Sequence, residues 1–394
     1  MALLKYIISI IIFPNINNII IIPFQTLNPL LYNNENLLEL IKNESDKSIV
    51  DTISRNLIYT NLDIGNNIQT IPTFIEMNTK DLIIKDIFIH TNNTVDKTSN
   101  SIFAFGYNNL LNKIFSIQYY NSSTSQSYEY IRESSDYIYE ETLFTFVEVK
   151  SLCGNESIFL MQKNNINDKE TIHQVEFYIS FKELDNNDHR PAILGLNYYN
   201  EFMHELKRKS EINNYYFSFN YTNPQEEKGE LIIGDLPHVY DNKNYEEKNM
   251  RSTKINKDLK VEWSINFDIY GESKNTNKKE YLLEIDKIAL FRIEESFITG
   301  SDKYLNYIEN NFFRKYIDEN ICKKEFRNKI NYNNFVTYFI CNIGNKEQRK
   351  EFFDEFPSLI LYQKERNFNF SLDANDLFTI FPDNNRILFN IDFI

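Results

Sequence analysis

The sequence predicts an all-β protein with few short helices, and three observations carry that expectation. From Ile58 onward the chain breaks into short runs rich in Ile, Val, Phe and Tyr: Ile68–Glu76, Leu82–Ile89, Ile114–Tyr120, Leu143–Val149, Val175–Phe181, Tyr216–Tyr221 and Glu230–Ile233. Several alternate with the period of two expected of a half-buried strand, as in Tyr216-Phe217-Ser218-Phe219-Asn220-Tyr221. Turn residues separate most of the runs. Helical spacing is confined to Asn200–Ser210, where Phe202, Met203 and Leu206 share a face, and to Ser301–Asp318, with Tyr304, Ile308 and Phe312 four residues apart.

A chain of 394 residues is long enough for two domains, each with its own core. The segment Asn242–Leu259 is charged and poor in large apolar side chains, so lobes are expected over residues 58–240 and 241–394. Hydrophobic residues make up 42% and aromatics 15%, which argues against disorder. A formal net charge of -14 argues against nucleic acid as a partner, since phosphate binding needs clustered Lys and Arg.

Residues 1–24 read as a signal peptide or apolar leader, with Lys5 ahead of the apolar stretch Tyr6–Phe13. That stretch is too short to span a bilayer, and a buried amino-terminal strand is the alternative. Residues 25–57 are polar and Asn-rich, like a leader or propeptide. Asn-x-Ser/Thr acceptors at Asn43, Asn92, Asn121, Asn155, Asn220 and Asn369 fit a secreted glycoprotein, although so Asn-rich a chain also produces them by chance. Cys153, Cys322 and Cys341 cannot all pair: either one bridge forms in an oxidising compartment or three thiols stay free. His90, His173, His189, His204 and His238 show neither metal-ligand spacing nor a triad context, so neither a metal nor a cofactor is expected.

Several segments carry more specific information. Asn61-Leu62-Asp63-Ile64-Gly65-Asn66-Asn67-Ile68-Gln69 leads into Thr73-Phe74-Ile75-Glu76-Met77-Asn78-Thr79-Lys80-Asp81-Leu82-Ile83-Ile84. Next come Ile117-Gln118-Tyr119-Tyr120-Asn121-Ser122-Ser123, then Ala192-Ile193-Leu194-Gly195-Leu196, then Phe217-Ser218-Phe219 with Gly229-Glu230-Leu231-Ile232-Ile233-Gly234. Trp263-Ser264-Ile265, the stretch Ala289–Gly300 (A-L-F-R-I-E-E-S-F-I-T-G) and Cys322 with Cys341 complete the series. Their order and spacing over residues 58–345 resemble a pepsin-like aspartic protease with degenerate active-site motifs. The resemblance implies a bilobal acid-protease fold with a central cleft, a Cys322–Cys341 disulfide in the second lobe and a flap tyrosine at Tyr119 that closes over a bound peptide.

In that family one Asp from each lobe shares a proton with its partner and activates water. Glu76 and Arg292 stand at the two positions here. An extra methylene displaces the carboxylate of Glu76 by about an ångström, enough to cost roughly 100-fold. A guanidinium neither donates nor accepts the proton. Met77 and Ile293 replace the Thr after each Asp, and Asn78 and Glu294 replace the Gly, so all six residues of the paired Asp-Thr-Gly triplets differ. If the two loops meet, Glu76 and Arg292 are expected to form a charge-assisted pair or to point into a wet cleft.

After Phe356-Pro357-Ser358-Leu359-Ile360-Leu361 no match to the family's closing Trp-Ile-Leu-Gly-Asp segment follows, so an incomplete second lobe is expected. The resemblance therefore implies a monomeric, secreted, endomembrane or vacuolar protein that has lost peptidase activity and binds a peptide or protein ligand in its cleft. An active endopeptidase using Glu76 at an atypical site is the alternative.

Overall fold

The computed structural model describes residues 19–27, 49–50, 57–77, 79, 82–84, 119–140, 145–163, 171–182, 192–197, 200–223, 228–236, 264–272, 279–281, 288–290, 298–300, 302–328, 335–381 and 385–393. It is mostly β-sheet with few helices. Among the described residues two large hydrophobic clusters form, one from residues up to Ile233 and one from Ile308 onward, beside a small one of Ile19, Ile21 and Ile232.

The first part holds a ten-stranded sheet. Strand β1 (Ile19–Leu27) pairs antiparallel with β2 (Leu57–Ile64), and β2 with β3 (Gln69–Glu76). Then come β4 (Leu82–Ile84), β5 (Glu129–Glu140), β6 (Thr145–Lys163), β7 (Thr171–Lys182) and β8 (Ala192–Gly195). Strands β9 (Phe217–Asn223) and β10 (Lys228–Ile233) close the series. The order is β5-β6-β7-β4-β8-β3-β2-β1-β10-β9, and β6 also reaches across to β1 and β2.

The expected runs Ile68–Glu76, Val175–Phe181, Tyr216–Tyr221 and Glu230–Ile233 fall on β3, β7, β9 and β10. Leu143–Val149 overlaps the start of β6, which continues to Lys163. Residues 85–89 and 114–118 of two further expected strands lie outside the described residues.

The apolar run beginning at Ile19 is a strand between β2 and β10. Ile19, Ile20, Ile21, Ile22 and Phe24 are all buried, so a leader boundary at residue 24 falls inside a folded strand. A strand covered on both faces reads as a continuous apolar run with no alternation, and a leader reads the same way. Residues 1–18 lie outside the described residues.

Helix α1 (Glu201–Arg208) has Asn200 as N-cap, its side chain accepting from the Met203 N–H, and buries Phe202, Met203 and Leu206. This is the face predicted from the residue spacing.

The second part begins with β11 (Ser264–Asn266), β12 (Asp268–Glu272), β13 (Lys279–Tyr281), β14 (Ile288–Leu290) and β15 (Ile298–Gly300). Helix α2 (Asp302–Ile308), a π-helical turn (Glu309–Phe313) and α3 (Arg314–Asp318) fill the second predicted helical stretch. Strands β16 (Cys322–Asn328) and β17 (Phe335–Asn342), helix α4 (Lys346–Glu355), β18 (Ser358–Gln363) and β19 (Phe368–Leu372) follow. The described chain ends with α5 (Ala374–Leu377), β20 (Phe378–Ile380), β21 (Arg386–Phe389) and β22 (Ile391–Phe393).

Aromatic rings build the second core. Phe313 is fully buried, stacked on Phe339 at a centroid distance of 4.2 Å and edge-on to Phe389 at 4.9 Å and Phe356 at 5.3 Å. Cys322 and Cys341 are cross-strand partners on β16 and β17 and are joined by a disulfide. This is the bridge that the resemblance implied. No helix among the described residues is long and apolar enough to cross a membrane.

Candidate functional site

Strand β3 positions Glu76. Ile71, Thr73, Phe74 and Ile75 are buried along it, and Glu76 is the half-buried residue at its end. Strand β8 lies parallel to β3, with Glu76 opposite Gly195, and antiparallel to β4 on its other side. The loop between β3 and β4 is tied down from β8. The Leu196 N–H donates to the Glu76 carbonyl at 2.7 Å, and the Asn197 N–H donates to the Thr79 carbonyl at 3.1 Å.

Asn200 holds the next turn. Its side-chain N–H donates to the Gly195 carbonyl at 2.5 Å while its Oδ1 caps α1. Within the loop, Thr79 Oγ1 donates to Glu76 Oε2 at 2.8 Å, and Met77 is buried. A carboxyl group is thus presented at a strand end, on a backbone anchored by the neighbouring strand and by a helix cap. Arg292 and its neighbours at 291–297 lie outside the described residues, and so does any Glu76–Arg292 pair.

The described strands around residue 292 nevertheless repeat those around residue 76. Glu76 is six residues before β4, and Arg292 is six residues before β15. Tyr59 of β2 faces Phe74, two residues before Glu76; Ser264 of β11 faces Leu290, two residues before Arg292. Strand β4 pairs in parallel with β7, and β15 pairs in parallel with β22. In sequence, position 292 thus lies as far ahead of β15 as Glu76 lies ahead of β4. The repeat stops at β8: among the described residues, no strand pairs with both β14 and β15.

Tyr119 is half-buried and leads into a turn that docks on the hairpin between β2 and β3. Gln69 clamps that turn at two points. Its Oε1 accepts from the Asn121 N–H at 2.8 Å, and its Nε2 donates to the Asn121 carbonyl at 3.0 Å. Asn67 Nδ2 donates to Thr124 Oγ1 at 3.1 Å, and the Asn66 N–H donates to Ser127 Oγ at 3.0 Å.

The hairpin needs backbone that Gly supplies at Gly65 (φ 81°), while Ile68 adopts φ 48° despite its branched side chain. Gln69 starts β3 and Glu76 ends it, about 23 Å apart along an extended strand. The segment after Tyr119 is therefore anchored at the end of β3 opposite Glu76.

One constellation went unread in the sequence. Glu156 on β6 is fully buried, and its carboxylate accepts from the Tyr120 hydroxyl, the Ser127 hydroxyl and the Ser157 N–H. Tyr120 is itself fully buried. A glutamate in the middle of a strand looks solvent-facing in sequence, and its three donors come partly from a distant turn. Among the described residues, no group of three or more His, Cys, Asp or Glu is placed to hold a metal.

No family model matches the sequence, and no curated protein matches it. Solved structures do match. The crystal structure of basic 7S globulin from soybean is similar with a TM-score of 0.56 and 10% sequence identity, over 95% of this chain and 86% of that one. At that identity the likeness speaks for architecture alone, and together with the β-rich mixed sheets described above it shows that this chain has the pepsin-like fold.

Proposed function

We propose that this chain is a pepsin-like protein without peptidase activity that acts by binding peptide or protein segments in its cleft. What supports the reading is the sequence at two like-spaced positions, a glutamate at the end of β3 six residues before β4 and an arginine six residues before β15. Acid-protease chemistry needs two groups that share one proton, and Arg stays charged throughout. Thr79 occupies the Glu76 carboxyl with a hydrogen bond inside its own loop, which supports a structural rather than a catalytic part.

The Cys322–Cys341 pairing supports an oxidising compartment, in keeping with secretion or endomembrane residence. Tyr119 contributes least to this reading, because the turn that follows it is clamped to the far end of β3.

Incubation of the purified chain with denatured haemoglobin at acid pH is expected to give no cleavage, and cleavage overturns the loss of activity. A library of extended decapeptides is expected to yield saturable binders; failure to bind any of them overturns the binding reading. The runner-up, an endopeptidase using Glu76, is favoured by the position of that carboxyl at a strand end. It requires tight binding of a statine-type transition-state mimic.

A further inference from the structure

The Cys322–Cys341 disulfide supports passage through an oxidising compartment, which is also where Asn-x-Ser/Thr acceptors are glycosylated. The fold sorts those acceptors. Of the six in the sequence, Asn121, Asn155, Asn220 and Asn369 are among the described residues. Asn155 lies on β6 between Glu129 of β5 and Tyr178 of β7. It shares a face with Ser157, the hydroxyl residue of its own acceptor, which is only 1% exposed. Asn121 is half-buried in the turn that Gln69 clamps to the β2–β3 hairpin, and its Oδ1 accepts from both the Ser123 N–H and the Ser123 hydroxyl. Asn220 is half-buried on β9.

Asn369 differs from all three. Asn369, Phe370 and Ser371 are each exposed, so both side chains that define the acceptor are open to solvent. They lie on β19, which pairs with β18 and stands last in the order β13-β12-β18-β19. Alternation puts Phe368, Phe370 and Leu372 on one face of β19 and Asn369 and Ser371 on the other. Leu372 packs against the second core, so Asn369 is on the face turned away from that core. A bulky group on Asn369 therefore displaces neither a paired strand nor a side chain of that core.

An aromatic platform lies beside it. Tyr362 of β18 is the cross-strand partner of Asn369, and side chains directly opposite in an antiparallel pair share a face, with Cβ atoms about 4.5–5.5 Å apart. The Tyr362 hydroxyl donates to Asn367 Oδ1 at 3.1 Å, which draws its ring toward β19. A first sugar on Asn369 has that ring to rest against.

We propose that Asn369 is an N-glycosylation site of this protein and that Asn121 and Asn155 are not. The inference rests on the secretory reading given above. In the transfer, Nδ2 of Asn369 bonds to C1 of an oligosaccharide carried on a polyprenyl pyrophosphate. The C1–O bond breaks, the lipid pyrophosphate leaves with the bonding pair, and one amide proton passes to a base of the transferase.

The test expresses the full chain in insect cells and maps its peptides by mass spectrometry after a glycosidase is applied in heavy-oxygen water, which turns each glycan-bearing Asn into a labelled Asp. Label is expected at Asn369 and absent at Asn121 and Asn155. Ser371→Ala is expected to abolish the label at Asn369, and Ser371→Thr to keep it; Ser371 is exposed, so neither change disturbs the core. A disulfide-bonded product of the secretory fraction with no label at Asn369, or with label at Asn121 or Asn155, overturns this proposal and leaves the compartment reading standing. Chain held in the cytosol with Cys322 and Cys341 as free thiols overturns both.

Discussion

Replacing Tyr120 by Phe isolates the buried carboxylate of Glu156. Three donors converge on that group: the Tyr120 hydroxyl, the Ser127 hydroxyl and the Ser157 N–H. Both Tyr120 and Glu156 are fully buried, so water does not replace a lost donor without repacking. A hydrogen bond to a charged acceptor contributes about 1.5–3 kcal/mol. Phe keeps the ring and its packing, so the change removes the hydroxyl and little else. Tyr120→Phe is thus expected to destabilise the first half by about 2 kcal/mol.

With a urea slope of roughly 1–3 kcal/mol per molar, the unfolding midpoint followed by far-UV circular dichroism falls by about 1 M. The double variant Tyr120→Phe with Glu156→Gln separates the pair from its surroundings, because each single change removes the same contact. The sum of the single effects is expected to exceed the double effect by at least about 1 kcal/mol. A Tyr120→Phe midpoint within about 0.2 M of wild type, or strict additivity in the cycle, would refute this account of what fastens the 119–128 segment to β6.

Other perturbations probe the second core and the equivalent loops. Phe313→Ala empties the centre of the aromatic cluster formed with Phe339, Phe356 and Phe389, and is expected to cost about 3–5 kcal/mol in equilibrium unfolding. Opening the Cys322–Cys341 bridge with Cys341→Ser or with reductant frees a loop of 19 residues, and should cost about 3 kcal/mol through the unfolded chain, read as a lower thermal midpoint. At Gly229 an added methyl would meet the Phe24 ring and lie 2.5 Å from the Asn220 carbonyl oxygen, so Gly229→Ala is expected to cost about 1–3 kcal/mol in the same assay. Restoring both acids with Glu76→Asp and Arg292→Asp is expected to leave haemoglobin uncleaved at acid pH, because Met77 and Ile293 still lack the hydroxyls that lock such loops; turnover by this variant would show that the acids alone were missing.

How much of this was legible in sequence depended on whether an element is exposed on one face or buried on both. Helix α1 was readable because Phe202, Met203 and Leu206 fall on one face among charges, with Asn200 as its cap. Strands β3 and β9 were readable from apolar runs bounded by turns. Strand β1 was ambiguous because its four isoleucines are buried together, which erases the alternation that separates a strand from a leader. Helix α4 carries a signal that went unused, the Asn345-to-Gln348 capping box ahead of Lys346–Glu355. At the site, the position of Glu76 followed from its loop, whereas the Thr79 contact and the Gln69 clamp depend on side-chain directions that spacing does not encode. The Glu156 cluster was illegible because two of its three donors come from residues 36 and 29 positions away.

We read Arg292 as the counterpart of Glu76 from a shared spacing, since β4 and β15 each begin six residues after the position in question. Any catalytic role for Glu76 would then need a second proton-sharing group from somewhere other than residue 292. The loop around Glu76 already gives its carboxyl a partner in Thr79, a hydroxyl with no charge of its own to share. On that reading a carboxyl at this place can bind, orient or pair, whereas acid-protease hydrolysis divides the roles of acid and base between two such groups.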